Sequence, residues 1–234
     1  MAEHCSIFIS RYRAALFDMD GVVTDTMPLH LKAWQEAFRP SGIEVRKMDV
    51  YLREGMQTRT MGREIAKDKG LDISDASLDR IVAEKSRIFD AEAAAGARAY
   101  DGAVPTLTML RNNGLKTVLV TGSKAASARV VLRAVGLEGL FDAMVTGDDT
   151  DRGKPGPDPY LKGIAKAGVS PLDCVVVENA PLGIQSARAA GVDYVIAVAT
   201  TLDRSHLLEA DDVMGSIAEM EMCLARRFAA HPPV

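Results

Sequence analysis

Short apolar strands alternate with helices through most of this 234-residue chain. Runs with the composition of buried strands lie at residues 14–19, 116–121, 141–146, 173–178 and 192–199. Helical patterns, each closed by a glycine, lie at 103–113, 124–135, 157–168 and 181–190. Strands and helices that alternate in this way form a parallel sheet covered by helices on both faces. The sequence therefore predicts an α/β fold, with a last short strand and a surface helix between residues 211 and 227.

One long interval breaks this alternation and contains no apolar strand. Its helical patterns lie at 28–38, 60–69 and 75–95. We expect an all-helical cap domain, residues 26–99, inserted into a Rossmann-like core formed by residues 1–25 and 100–234. The linkers near 24–28 and 96–102 would be its hinges. A lid of this kind excludes water from a reaction and supplies specificity residues.

Charge and composition exclude several partners. The net charge of −4 and the pI near 5.6 argue against a nucleic-acid or anionic-membrane partner. No apolar run is long enough to span a bilayer, and residues 5–9 are too short for a secretory signal core. Cys5, Cys174 and Cys223 lack metal-binding spacing, which suits a reducing compartment. We expect a cytoplasmic monomer that binds a small molecule.

Two aspartates follow the first strand. Asp18 and Asp20 are two residues apart, so an extended backbone points both side chains the same way, and Gly21 allows a sharp turn after them. Such like charges repel unless a cation lies between them or one binds a proton. A carboxylate nucleophile, a proton-carrying partner and a divalent metal ion need this arrangement. The alternative is a polar turn at a strand end.

Three further polar segments follow in order, two of them at strand ends. Thr121-Gly122-Ser123 joins a strand to a helix, where hydroxyls and free N–H groups bind anions; a simple turn and cap is the alternative. Lys154 lies in a loop made stiff by proline, and the alternative is a solvated lysine. Glu178-Asn179 ends a later strand, and the alternative is a carboxylate at the start of a helix. Because ligands of open α/β sheets gather at the carboxyl ends of strands, we expect one shared site.

Four motifs, in their order along the chain, resemble those of the haloacid dehalogenase superfamily of phosphoryl-transfer enzymes. They are Asp18-Met19-Asp20-Gly21, Thr121-Gly122-Ser123, Lys154-Pro155 and Glu178-Asn179. The resemblance covers residues 14–200 and is closest to the β-phosphoglucomutase-like subgroup. One branch of that subgroup contains small-substrate hydrolases, including inorganic pyrophosphatases. The resemblance also implies a helical cap after the nucleophile loop.

The resemblance implies a role for each motif. Asp18 would attack phosphorus and form an aspartyl-phosphate, and Asp20 would act as general acid and then general base. Thr121, Gly122 and Ser123 would hold the transferring phosphoryl group, and Lys154 would neutralise its charge.

The same resemblance implies a Mg²⁺ ion. Its ligands would be Asp18, the main-chain carbonyl of Asp20 and Asn179, with Glu178 binding directly or through water. Asn179 departs from the commoner subgroup pattern, which has aspartate there. The neutral amide removes one negative charge, which would weaken metal binding or favour a more anionic substrate.

The cap contributes two candidate site residues. His30 stands where some relatives have a histidine near the acid–base group, and a surface histidine is the alternative. Glu54 precedes Gly55 in a cap loop where sugar-phosphate mutases place a lysine nearby. In the pyrophosphatase branch a cap carboxylate can complete magnesium coordination; a solvated loop carboxylate is the alternative. Where mutases clamp a second phosphate with arginine, this chain has Thr58, with Arg59 beside it.

These observations predict a Mg²⁺-dependent phosphatase that acts on a small phosphomonoester or on pyrophosphate through an aspartyl-phosphate. The first alternative is a β-phosphoglucomutase-like mutase, which needs a second phosphate clamp. The other alternative is a non-catalytic phosphoryl-binding regulator, against which the intact Asp18, Asp20 and Lys154 argue.

Overall fold

The computed structural model describes residues 11–230, so Cys5, segment 5–9 and the ends of the predicted core lie outside the described residues. The described part contains one six-stranded parallel sheet in the order β3-β2-β1-β4-β5-β6. The strands are β1 (Ala14–Phe17), β2 (Lys116–Val120), β3 (Ala143–Val145), β4 (Cys174–Glu178), β5 (Tyr194–Val198) and β6 (Asp212–Met214). Strand β1 lies between β2 and β4, where the chain changes direction across the sheet. Open α/β sheets bind ligands at such a point, beyond the carboxyl ends of the strands.

Helices cover both faces of the sheet. They are α5 (Ala103–Asn112), α6 (Ala125–Ala134), α7 (Asp158–Ala167), α8 (Pro181–Ala189) and α9 (Ile217–Ala230). Because side chains alternate along a strand, Leu16 of β1 packs with α7 and α8, whereas Phe17 packs with α5, α6 and α9. Strands buried on both faces explain why their sequences are apolar throughout.

Helices α1 (Met27–Phe38), α2 (Lys47–Tyr51), α3 (Thr58–Asp68) and α4 (Asp75–Gly96) form the cap between β1 and α5. The cap has an apolar cluster of its own, which includes Trp34, Phe38 and Ile65. The sequence did not predict α2, because five residues are too few to show a helical period. The α/β fold with an inserted helical cap is confirmed, while the domain boundaries at 25/26 and 99/100 remain a proposal.

The two linkers between core and cap lie side by side. Thr24 forms an antiparallel bridge with Ala99. The N–H of Asp25 donates to the carbonyl of Arg98 at 2.8 Å. The chain therefore leaves the core and re-enters it at adjacent points. None of the helices within residues 11–230 is long and apolar enough to cross a membrane.

Candidate active site

Asp18 is the first residue beyond β1. Its N–H donates to the carbonyl of Val177 in β4 at 3.0 Å, which fixes the residue at the carboxyl end of the sheet. Oδ1 accepts a 2.6 Å hydrogen bond from Lys154 Nζ, and Oδ2 is buried without a hydrogen-bond partner. Burial raises the pKa of Asp18 to about 8, although Lys154 acts in the opposite direction. The Lys154 contact therefore offsets only part of the cost of burying the Asp18 carboxylate.

Lys154 lies between two carboxylates and is itself buried, so the solvated-lysine alternative is wrong. Its Nζ donates to Asp18 Oδ1 and Glu178 Oε1, both at 2.6 Å, and to the carbonyl of Val120 at 3.1 Å. An ammonium has three hydrogens, so each of them has an acceptor. Burial lowers the pKa of Lys154, but the two carboxylates outweigh it and hold that pKa above its usual value. Lys154 is a fixed positive charge.

Asp20 lies on the loop after β1, with Gly21 at φ +84° behind it. Its Oδ1 accepts a hydrogen bond from Thr26 Oγ1 and lies 3.0 Å from His30 Nε2, a close contact without hydrogen-bond geometry. Ser123 Oγ donates to Oδ2 at 3.3 Å. Burial favours a raised pKa for Asp20, but His30 and Thr26 together hold that pKa below its usual value. The contacts therefore favour the ionised carboxylate.

His30 is buried rather than on the surface, and a second cap residue holds it. Its Nδ1 lies 2.9 Å from Lys85 Nζ, and its ring stacks on Phe89 with the centroids 4.0 Å apart. Lys85 Nζ lies over the rings of Phe89 and Trp34, at 4.5 and 5.6 Å from their centroids. Burial lowers the pKa of Lys85 to about 8. If Lys85 donates to Nδ1, the ring proton of His30 resides on Nε2, on the side of Asp20.

Glu178 ends β4 and is held from several sides. Its Oε1 accepts from Lys154 and from Tyr160 Oη, both at 2.6 Å. Its Oε2 accepts from the N–H of Asn179 at 3.1 Å. A Cβ atom at Gly183 would lie 1.9 Å from Oε1, so α8 approaches this carboxylate closely only because residue 183 is glycine. The Glu178 side chain is thereby fixed in one place.

Glu54 crosses from the cap to the core. It is buried, so the solvated-carboxylate alternative is wrong. Asn179 Nδ2 donates to Glu54 Oε1 at 2.7 Å and to Thr201 Oγ1 at 2.9 Å. A Cβ atom at Gly21 would lie 2.1 Å from Asn179 Nδ2, so glycine is required at this contact. Burial, followed by the charge of Asp18, raises the pKa of Glu54 well above its usual value.

Thr121-Gly122-Ser123 lies under the cap loop. Thr121 Oγ1 accepts a 3.0 Å hydrogen bond from the N–H of Ser123, which shapes the turn. A Cβ atom at Gly122 would lie 2.5 Å from the carbonyl oxygen of Gly55 and 2.7 Å from that of Met56. The cap loop therefore lies directly against the core in this structure.

A narrow cleft, partly open to solvent, lies between cap and core beside this contact. The predicted site residues that line it are Asp18, Asp20, His30, Glu54, Thr121, Gly122 and Ser123. Lys154, Glu178 and Asn179 are buried beside it. Lys154 contacts Asp18 and Glu178, and Asn179 contacts Glu54. The structure thus brings all the sequence-predicted site residues together at the carboxyl end of β1 and β4.

The donors predicted for Mg²⁺ fit a hard cation. Asp18 Oδ2 and Asn179 Oδ1 are buried oxygen atoms without a hydrogen-bond partner, and such orphaned acceptors favour a cation beside them. A cation there would also lower the pKa of Asp18. Within residues 11–230, no three His, Cys, Asp or Glu side chains already form a metal cluster. The predicted set differs from such a cluster because it combines the carboxylate of Asp18 with the amide of Asn179 and the main-chain carbonyl of Asp20, with Glu178 binding directly or through water.

Comparison with known proteins decides the family. The model of the haloacid dehalogenase-like hydrolases matches residues 12–191. This chain belongs to that family. The predicted β-phosphoglucomutase-like resemblance and the assignment as a phosphoric ester hydrolase are confirmed.

Individual relatives agree with this assignment. The chain is 34% identical over 189 residues to the fructose-1-phosphate phosphatase YqaB of Escherichia coli, covering 79% of this chain and 96% of the relative. It is 34% identical over 212 residues to hexitol phosphatase A of Escherichia coli, covering 90% and 94%. The β-phosphoglucomutase structure from Clostridium difficile superposes with a TM-score of 0.82 at 22% identity, covering 93% and 99%, which shows a shared fold.

Four polar residues of this haloacid dehalogenase-like site were missed at the sequence level: Thr26, Lys85, Tyr160 and Thr201. Lys85 carried a signal, because Ile81, Lys85 and Phe89 follow one another at intervals of four along the buried face of α4. A lysine in an apolar stripe needs a partner. Thr201 follows β5 in an unremarkable loop, and nothing in its sequence context indicated the contact with Asn179.

Proposed function

We propose that this chain is a Mg²⁺-dependent phosphatase that hydrolyses a small phosphomonoester through an aspartyl-phosphate at Asp18. The observation that carries the proposal is the state of Asp18: buried at the cleft, with one oxygen atom held by Lys154 and the other unpartnered. A carboxylate without a full set of partners retains a lone pair for attack on phosphorus. The relatives named as sugar-phosphate and hexitol phosphatases support the same reaction.

Asp18 and Asp20 divide the reaction between them. Asp18 attacks phosphorus, the bond from phosphorus to the leaving oxygen breaks, and Asp20 gives that oxygen a proton. Water then attacks the aspartyl-phosphate while Asp20 takes the proton back, and phosphate leaves. The contacts of Asp20 favour its ionised form, so it has to gain a proton before the first step. A phosphoryl dianion placed beside it would raise its pKa and favour that protonation.

The other site residues orient the substrate and neutralise the negative charge of its phosphoryl group. Lys154 supplies a fixed charge beside Asp18, and the Thr121-Gly122-Ser123 turn offers hydroxyl and N–H groups at the cleft. Asp18, the carbonyl of Asp20 and Asn179 would hold Mg²⁺, which supplies positive charge for the phosphoryl oxygens when bound. Glu178 already accepts from Lys154, Tyr160 and a backbone N–H, so we assign it contact with the metal through water.

The mutase alternative lacks a clamp for a second phosphate. Arg59 is exposed, and it pairs with Asp75 at 2.6 Å and with Asp79 at 2.8 Å on the surface of the cap. Thr58, which lines the cleft, is uncharged. Hydrolysis is therefore the better-supported reaction.

Pyrophosphate is the second candidate substrate. The observation in its favour is the cap carboxylate Glu54, which reaches Asn179 inside the buried site and would lie beside a metal held there. We also propose that the protein acts in the cytoplasm as a monomer without nucleic-acid or membrane partners.

A phosphate-release assay tests the proposal. The panel comprises glycerol 1-phosphate, benzyl phosphate and pyrophosphate, each with Mg²⁺ and with excess chelator. We expect Mg²⁺-dependent release from at least one of them, and release that returns when Mg²⁺ is restored. Phosphate release in excess chelator would refute the requirement for Mg²⁺. No phosphate release from any compound of the panel would favour the non-catalytic regulator.

A further inference from the structure

We infer that the cleft selects phosphomonoesters whose leaving group is an uncharged alcohol with an apolar face, in preference to substrates that carry a second anionic group. This inference rests on the proposed phosphatase activity. It concerns only the part of the substrate that departs, on the cap side of the reacting phosphorus.

The cap side of the cleft, here called its roof, is apolar. Its lining on the cap side includes Met27, Trp34, Val50, Met56 and Met61. Four of these also belong to the apolar cluster of the cap, and Met56 packs against it while remaining partly exposed. A leaving group under this roof contacts methyl, methylene and indole surface. Contacts of that kind favour apolar area and give a charged group no compensation for lost water.

The ionisable side chains that line the cleft are mainly carboxyl groups. Asp18, Asp20 and Glu54 are carboxylates of the lining, and Lys85 is its lysine. Lys85 already contacts His30 Nδ1 at 2.9 Å and lies over two aromatic rings. Within residues 11–230, the only lysine of the lining is therefore already engaged, and a second anion under the cap would find three carboxyl side chains and no available cation.

The arginines nearest the cap loop are held away from the cleft. Arg53 pairs with Asp68, Arg59 with Asp75 and Asp79, and Arg63 with Asp75. These pairs lie on the outer surface, where the carboxylates of α4 and the end of α3 hold the guanidinium groups. None of the three lines the cleft. The cap therefore offers a second phosphate no bidentate partner, which is the usual means of binding one.

The cap loop also encloses the leaving group. The carbonyl oxygens of Gly55 and Met56 lie so close to Gly122 that a Cβ atom there would be 2.5 and 2.7 Å from them. Substrate that reaches Asp18 in this arrangement occupies a cleft that Met56 also lines. Its leaving group consequently contacts the apolar roof during the reaction.

Esters of matched primary alcohols test the inference. Benzyl phosphate presents an apolar leaving group, glycerol 1-phosphate a polar uncharged one and phosphoglycolate a carboxylate. We expect kcat/KM for benzyl phosphate to exceed that for phosphoglycolate by at least about tenfold, the scale on which a pocket discriminates small groups. Pyrophosphate should also be a poor substrate.

The outcomes separate this inference from the proposed function. Equal or better use of phosphoglycolate or pyrophosphate would overturn the inference and leave the phosphatase proposal standing. Phosphate release from none of these compounds would overturn both.

A matched pair of variants tests whether the apolar roof causes this preference between leaving groups. Met56→Lys places a cation in the roof, whereas Met48→Lys makes the same change on an exposed side chain of α2. We expect Met56→Lys to shift the ratio of kcat/KM for benzyl phosphate to that for phosphoglycolate by at least about tenfold toward the anion, and Met48→Lys to leave it unchanged. Equal ratios in Met56→Lys and wild type, with both variants folded by circular dichroism, would show that the roof does not contact the leaving group.

Discussion

Asn179 Nδ2 donates a 2.7 Å hydrogen bond to Glu54 Oε1, which joins core and cap inside the buried site. Asn179 departs from the commoner pattern of the subgroup, Glu54 differs from the sugar-phosphate mutases, and the contact links the two differences. An aspartate at position 179 would place two carboxylates at this distance, whereas an amide gives the carboxylate a donor. The same orientation leaves Asn179 Oδ1 without a partner and available to a cation.

The pair predicts a specific coupling. Asn179→Asp should lower the free energy of unfolding of the metal-free protein by about 2 kcal/mol, because a buried hydrogen bond becomes a repulsion. Adding Glu54→Gln should restore at least half of that loss, since the glutamine can donate to the new aspartate. Urea denaturation of wild type, both single variants and the double variant measures the coupling. Additive losses would show that the two side chains do not interact.

Asp18→Asn should abolish turnover and leave the fold intact. The amide cannot attack phosphorus, and losing the covalent route should cost at least about a thousandfold in kcat. Asp25→Asn is the matched control, because Asp25 is exposed and lies seven residues further along the same connection. Initial rates of phosphate release and circular dichroism give the two readouts. Activity of Asp18→Asn near that of Asp25→Asn would exclude Asp18 as the nucleophile.

Tyr160→Phe should reduce kcat by about tenfold, because the loss of one charged hydrogen bond costs roughly 1.5–3 kcal/mol and frees Glu178 to move from Lys154. The ring, whose centroid is 5.0 Å from Lys154 Nζ, remains. Tyr12→Phe is the control, since Tyr12 Oη donates to Asp193 at 2.8 Å just before the amino end of β1. Both variants should lose stability, but only Tyr160→Phe should lose kcat. Similar kcat values for the two variants would reduce Tyr160 to a packing role.

Lys85→Met should stabilise the protein at neutral pH and lose that advantage as the pH rises. Burial lowers the pKa of Lys85 to about 8 from an ordinary 10.5, so the charged form is penalised in the folded state. This destabilisation of the folded protein is fully present below pH 8, where Lys85 is protonated in both the folded and the unfolded state. It is relieved between about pH 8 and 10.5, as Lys85 loses its proton in the folded state. A shift of this size corresponds to about 3 kcal/mol. Denaturation of wild type and Lys85→Met at several pH values gives the difference; a difference that stays constant with pH would contradict the prediction.

The sequence predicted the sheet well because its signals are local. Each strand is a short apolar run, and the glycine that ends each of the four core helices predicted from the sequence adopts positive φ, as Gly168 does at +70°. The motif residues were found for the same reason, because each directly follows a strand or lies in a proline-stiffened loop. Contacts between distant segments had no such signal. Tyr160 reaches Glu178 from another helix, and Lys85 reaches His30 across 55 positions of the chain. Only tertiary packing brings such pairs together, within the core for Tyr160 and Glu178 and within the cap for Lys85 and His30.

The paired linkers at Thr24–Ala99 and Asp25–Arg98 make the cap a modular insert. The two ends of the cap lie side by side, so the distance that the insert has to span at the core is short whatever its length. The entropy lost when the ends of such a segment are held together rises only slowly with its length. A cap can therefore be enlarged, shortened or exchanged without a change in strand order. The reacting carboxylates stay with the sheet while the roof above them varies, so one scaffold can present the same phosphoryl chemistry to many leaving groups.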